Sequence, residues 1–223
     1  MSKEVRLIEV KEDILADNTA LAKNLRDDLK SKKTFLMNLM ASPGAGKTTT
    51  LLSTLGKLKN DMKIGVMEAD IDSIVDAETI QNAGIEAIQI RTGGFCHMDA
   101  TMVKDGLDAI DYGKFDLVVL ENVGNLVCPA EFDTGALLNA MILSVPEGDD
   151  KPLKYPLMFS VCNVLLVNKI DYLELSDFDM NVLKERVLKI NPDIKIFEIS
   201  AKTGQGVDEW AAWLKNEVEK ITA

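Results

Sequence analysis

T-F-L-M-N-L-M-A-S-P-G-A-G-K-T-T-T, residues 34–50, joins an apolar run of strand length to a glycine-bearing turn that ends in Gly-Lys-Thr. The run near 34–40 reads as a buried strand and the segment near 48–59 as a helix, so the turn lies at a strand's carboxyl end and a helix's N-terminus. In that context the pattern G-x-x-x-x-G-K-[ST] forms a phosphate cradle. Backbone N–H groups converge on phosphate oxygens, the lysine reaches the β- and γ-phosphates, and the hydroxyl meets magnesium. Ala41 stands at the first glycine of that pattern, while Gly46, Lys47 and Thr48 complete it. Gly44 and Gly46 still permit the tight turn. The phosphates are therefore expected on Ser42, Gly44, Ala45, Gly46, Lys47, Thr48 and Thr49, with Lys47 in a catalytic role and Thr48 toward Mg2+.

Working outward, strands are expected near 63–68, 86–90, 116–121, 141–145, 163–168 and 195–199. Helices are expected near 11–30, 75–83, 99–111, 177–190 and 206–221. Continuous apolar strands such as Leu117 to Leu120 and Val164 to Val167 suit a sheet covered on both faces. The fold class is α/β, a doubly wound, mostly parallel sheet with helices on both faces, in which ligands gather at the carboxyl ends of the strands. The stretch P-E-G-D-D-K-P-L-K-Y-P, 146–156, reads as the Pro-rich loop of the chain. With 36 acidic against 25 basic side chains the net charge is −11, which opposes a nucleic-acid partner. No apolar signal core or membrane span is visible, so a cytoplasmic protein without membrane contact is expected. Three cysteines in a reducing compartment read as free thiols or metal ligands.

Asn168-Lys169-Ile170-Asp171 closes one apolar strand and Ser200-Ala201-Lys202 the next. A carboxylate at Asp171 accepts from both N1–H and the exocyclic amine of guanine, a donor pair adenine lacks. Together with the Gly-Lys-Thr turn these motifs indicate a GTP-binding protein of the P-loop GTPase class. Residues 34–223 are then the GTPase domain and 1–33 a helical extension packed on it. Glu121-Asn122-Val123-Gly124 stands where many GTPases have Asp-x-x-Gly. Glu121 is thereby assigned to magnesium and Gly124 to the γ-phosphate. Asn125 falls where Ras-like GTPases have a water-orienting glutamine, one methylene longer, and slow intrinsic turnover is expected. The acidic stretch Glu68-Ala69-Asp70-Ile71-Asp72 reads as a loop beside the nucleotide, with Asp70 toward magnesium and Asp72 orienting the attacking water.

Cys96 and His97, the only histidine, follow the strand ending near Ile90, and Cys128 follows the Glu121 to Gly124 motif. Both segments leave carboxyl ends of strands, so the three side chains can meet, and soft thiolate with imidazole suits zinc or nickel. Cys162 reads as a buried core thiol at the start of a strand. The stretches S-P-G-A-G-K-T-T, T-G-G-F-C-H-M-D-A-T-M-V, E-N-V-G-N-L-V-C-P, S-V-P-E-G-D-D-K-P-L-K-Y-P and N-K-I-D resemble the HypB family of hydrogenase nickel-incorporation GTPases from about Thr34 onward. The resemblance implies a SIMIBI-class GTPase that delivers nickel to the large subunit of [NiFe]-hydrogenase, works with the small metallochaperone HypA and forms a homodimer in the GTP state. It carries the metal residues onto Cys96, His97 and Cys128. Some members carry a cysteine-rich motif or a histidine-rich tract at the N-terminus; this sequence shows neither, and nickel storage is not expected. A urease-type nickel GTPase would carry a Cys-Pro-His run. A GTP switch with a structural zinc, or without metal, is the other rival.

Overall fold

The computed structural model describes residues 10–71 and 75–223. Seven strands, β1 (Phe35–Ala41), β2 (Ile64–Asp70), β3 (Glu86–Arg91), β4 (Leu117–Glu121), β5 (Leu138–Ser144), β6 (Val164–Asn168) and β7 (Lys195–Glu198), form one sheet in the order β3-β2-β4-β1-β5-β6-β7. Every pairing is parallel. The helices are α1 (Val10–Ser31), α2 (Lys47–Leu58), α3 (Val75–Asn82), α4 (Ala100–Ala109), α5 (Cys128–Glu131), α6 (Lys151–Lys154), α7 (Pro156–Val161), α8 (Met180–Ile190) and α9 (Val207–Thr222). Among the described residues no helix is long and apolar enough to cross a membrane.

The central strands are largely apolar because both faces are covered, whereas the edge strands β3 and β7 carry Glu86, Arg91, Lys195 and Glu198. All of β1 is buried. Its odd-numbered residues Phe35, Met37 and Leu39 join α2 and α9 in one core, with Leu51, Leu55, Trp210 and Leu214. Its even residues face the other side, Leu36 toward α1 and α4 and Met40 toward α7 and α8. A period of two in a strand sends alternate side chains to opposite layers. Trp210 shows how the layers are fixed: it is 1% exposed, and its indole N–H donates to Thr54 Oγ1 at 3.1 Å. On the opposite face α1 buries Leu25 and Leu29, and Arg26 donates to the Ala136 carbonyl at 2.9 Å.

Five expectations need correction. Strand β5 begins at Leu138, earlier than its apolar run, because Asn139 interrupts the pattern while the backbone already pairs with β1. The 146–156 stretch is helical for much of its length, a 3-10 turn at Val145–Glu147 followed by α6 and the start of α7. Pro152 and Pro156 sit in first turns, where the missing N–H has no intrahelical partner to lose. Cys162 ends α7 and does not start a strand; it is 2% exposed. Glu68 and Asp70 belong to β2 and not to a loop, and Glu68 is buried. Helix α8 also starts at Met180, not near 177, because the Asp179 carboxylate caps it by accepting from the N–H groups of Asn181 and Val182.

The connection from β1 runs to β2 on one side of it, and the connection from β4 crosses to β5 on the other. That arrangement opens a crevice beyond the carboxyl end of β1.

Candidate functional site

The turn after β1 is built around its neighbours. Ala41, the last residue of β1, is fully buried, so a methyl group fits where the pattern has glycine. Gly44 and Gly46 adopt φ of +77° and +97°, a region costly for residues with a Cβ. Gly46 has a second constraint: a Cβ there would lie 2.7 Å from Asn168 Nδ2. Asn168 donates to the Ala45 carbonyl at 3.0 Å, and Lys169 Nζ donates to the Gly44 carbonyl at 2.7 Å. The turn is therefore held from β6. Its outer side is held by Glu147, which accepts from the Ser42 hydroxyl.

Two cavities meet at Gly46, Thr49 and Lys169. One, of about 440 Å³, is lined by Gly44, Lys47, Thr48, Asp70, Glu121 and Gly124 among others. The other, of about 370 Å³, is lined by Pro146, Asn168, Asp171, Tyr172, Ala201 and Lys202. In the second, buried Ser200 donates to Asp171 Oδ1 at 2.7 Å, and the Ala201 N–H donates to Asn168 Oδ1 at 3.1 Å. Asp171 is thereby held at the wall of that cavity.

The floor of the first cavity holds a residue the sequence reading passed over. Parallel pairing of β2 with β4 sets Glu68 beside Glu121; they are 3% and 1% exposed. Burial first, then the negative charge of Glu121, pushes the Glu68 carboxyl up to about 10. Burial also raises Glu121, opposed by its hydrogen bond with Glu68 and by Lys47. Glu68 is thus the more readily protonated member of the pair. Thr48 Oγ1 donates to Glu121 Oε1 at 3.0 Å, while Glu68 Oε2 and Glu121 Oε2 are buried without a hydrogen-bond partner. Two orphaned hard oxygens beside a hydroxyl and Asp70 fit a magnesium ion, which takes oxygen ligands and neutralises such a pair. Asp72 lies outside the described residues.

On the same edge, Cys96, His97 and Cys128 bring one ligand atom each within 4.8 Å of one another. Cys96 Sγ and Cys128 Sγ are 2.9 Å apart. The His97 ring stacks on Phe132, with centroids 3.8 Å apart, and meets the edge of Phe95. Its desolvation lowers the imidazole pKa and keeps the ring neutral, the form that binds metal. His97 Nδ1 is buried without a partner. The Cys128 thiol is raised, chiefly by the hydrogen bond with Cys96 and by burial, and Asn125 opposes that shift. Met98, fully buried, and Asp99, whose carboxylate accepts from the Met102 N–H, fix the exit of the Cys96 loop into α4. Asn125 does not point at the phosphates: its amide contacts the two cysteine loops.

The sheet order, the Gly-Lys-Thr turn and the paired cavities define a P-loop nucleotide-binding protein. Residues 35–198 match the family described as CobW/HypB/UreG, nucleotide-binding domain. The chain is 42% identical over 212 residues to the hydrogenase maturation factor HypB of Escherichia coli (strain K12), covering 95% of this chain and 73% of that one. It superposes on the crystal structure of HypB from Helicobacter pylori in complex with nickel with a TM-score of 0.86 at 36% identity, covering 92% of this chain and 96% of that one. The crystal structure of hydrogenase maturation factor HypB from Archaeoglobus fulgidus gives a TM-score of 0.85 at 38% identity over 92% and 100%. The chain belongs to the HypB family of hydrogenase maturation factors, within the CobW/HypB/UreG GTPases.

Proposed function

We propose that this chain is a GTP-hydrolysing metallochaperone that takes part in nickel insertion into [NiFe]-hydrogenase, with nickel as its cargo on Cys96, His97 and Cys128. The observation that carries the reading is the convergence of those three ligands on a segment that continues directly from Gly124 in the phosphate cavity. Titration of the untagged protein with nickel(II) or zinc(II), in GDP and in a non-hydrolysable GTP analogue, tests it. The expected result is metal binding whose affinity depends on the nucleotide. A protein that binds neither ion would overturn the cargo role and leave a plain GTP switch.

In this reading Lys47 and the backbone of Ser42 to Thr49 hold the phosphates and stabilise charge on the γ-phosphate. Asn168 braces the cradle, and Asp171 with the Ser200 to Lys202 turn reads guanine. Thr48, Asp70 and Glu121 would hold Mg2+, which supplies charge neutralisation on the β- and γ-phosphate oxygens. Asp72 keeps the role of orienting the attacking water, and turnover is slow. Residues 1–33 are an extension to a GTPase domain at 34–223. Three ligands leave a coordination position open, which suits a cargo passed between proteins: to a second copy in a GTP-state homodimer, to the small metallochaperone HypA, and on to the hydrogenase large subunit, in the cytoplasm.

Glu68 extends the magnesium set. Glu68→Gln removes the carboxylate and keeps the volume, so it should blunt the dependence of GDP affinity on Mg2+ by about tenfold or more, with little change in affinity in excess chelator. Nucleotide titrations at stepped Mg2+ concentrations measure this, and an unaltered Mg2+ dependence would remove Glu68 from the set.

A further inference from the structure

Asn125 occupies the short span between the phosphate cavity and the metal ligands. One residue before it, Gly124 packs so tightly on the cradle that a Cβ would lie 3.2 Å from Pro43 N and 3.3 Å from Lys47 Nζ. Three residues after it, Cys128 opens α5. The loop carrying Cys96 comes from β3 and the loop carrying Cys128 from β4, and β2 lies between those strands. Among the described residues no backbone hydrogen bond joins the 92–99 and 122–130 segments. Their registration therefore depends on side chains.

Asn125 supplies it. Its Nδ2 donates to the Cys96 carbonyl at 3.3 Å, and its Oδ1 accepts from the Val127 N–H at 2.9 Å. The amide oxygen and one of its N–H groups have partners, and both partners belong to the cysteine loops. A side chain occupied in this way does not orient water at the γ-phosphate.

We propose that Asn125 is a positioning residue of the metal site: it sets the spacing of Cys96 against Cys128 and transmits displacement of Gly124 to both. The second half rests on the nucleotide coupling proposed above; the first half does not. A partner that orients metal ligands without touching the ion changes metal affinity by about 10- to 100-fold when removed.

The test compares the parent chain with Asn125→Ala and Asn125→Asp. Asn125→Asp keeps the shape and the acceptor for the Val127 N–H but loses both donors. Nickel(II) affinity of the nucleotide-free protein, measured by chelator competition, should fall about 10- to 100-fold in both variants. The thiolate-to-metal absorption of the cobalt(II) form should shift. GDP affinity of the metal-free variants should match the parent, which shows that they are folded. The ratio of nickel affinities in the GDP and GTP-analogue states should move toward one. Parent-like nickel affinity and an unchanged cobalt(II) spectrum in both variants would overturn the proposal. Loss in Asn125→Ala with parent-like binding in Asn125→Asp would overturn the donor role assigned to the amide. A parent chain whose nickel affinity ignores nucleotide would refute the coupling alone, because the positioning role is judged on the nucleotide-free protein.

Discussion

Asp171→Asn is expected to weaken GTP binding by about 10³- to 10⁴-fold and to make xanthosine triphosphate the better ligand. Ser200 donates to Asp171 Oδ1, which leaves the carboxylate's other acceptor sites for the N1–H and the exocyclic amine of guanine. Charge-assisted pairs of this kind are about twice as strong as neutral ones. An asparagine amide presents N–H where guanine also presents N–H, so the loss includes a donor facing a donor as well as a missing bond. Xanthine carries a carbonyl at that edge and restores the match. The phosphate grip should survive, because Asn168 and Lys169 hold the cradle through Ala45 and Gly44 without Asp171. Competition against a fluorescent guanine nucleotide, with thermal melting as the folding control, makes the comparison. Unchanged GTP affinity would place guanine recognition outside the cavity at the end of β6.

The Gly-Lys-Thr turn and the end of β6 were legible because their sequence signals are local. Gly46, Lys47 and Thr48 are consecutive, and Asn168 to Asp171 follow an unbroken apolar strand, so knowing that strands end there already fixes where the side chains emerge. The meeting of Cys96, His97 and Cys128 was legible for a related reason: both loops leave the same edge of a parallel sheet. Glu68 was not, since its importance depends on the register of β2 against β4, which brings it beside Glu121, and register is a property of pairing, absent from either segment alone. Asn125 was read by analogy with a glutamine in another arrangement. The structure turns its amide to the cysteine loops because these approach across β2 with no ladder of their own. The 146–156 stretch misled through its prolines, which permit first turns of helices as readily as they mark loops.

Cys96→Ala and Cys128→Ala should each abolish tight nickel binding, by more than about 100-fold, and with it the dependence of metal affinity on nucleotide. The two sulfurs lie 2.9 Å apart, and the neighbouring Cys96 is the chief cause that raises the Cys128 thiol. Two thiolates at that distance repel one another, and a divalent cation reverses the balance by holding both. Removing either cysteine leaves one sulfur and one imidazole, too few for a closed soft-ligand site. Cys162→Ala is the internal control. That thiol is buried beside Met158 and Phe159 and is not among the three converging ligands, so the variant should lose stability and keep the metal. The nucleotide side follows by linkage. If GTP changes metal affinity by some factor, metal changes GTP affinity by the same factor, with about 1 to 3 kcal/mol the usual range. In the parent chain both arms of that cycle should agree. In Cys96→Ala and Cys128→Ala both should vanish, with GTP affinity in the absence of metal close to the parent value because neither cysteine lines the phosphate or base cavity. A second copy of the chain could complete the open coordination position, so the titrations must be run at matched pH and matched dimer fraction. Equal metal affinities for the GDP and GTP-analogue states of the parent chain under those conditions would sink the coupling even with all three ligands correct. Retention of nickel by either cysteine variant would sink the ligand set itself.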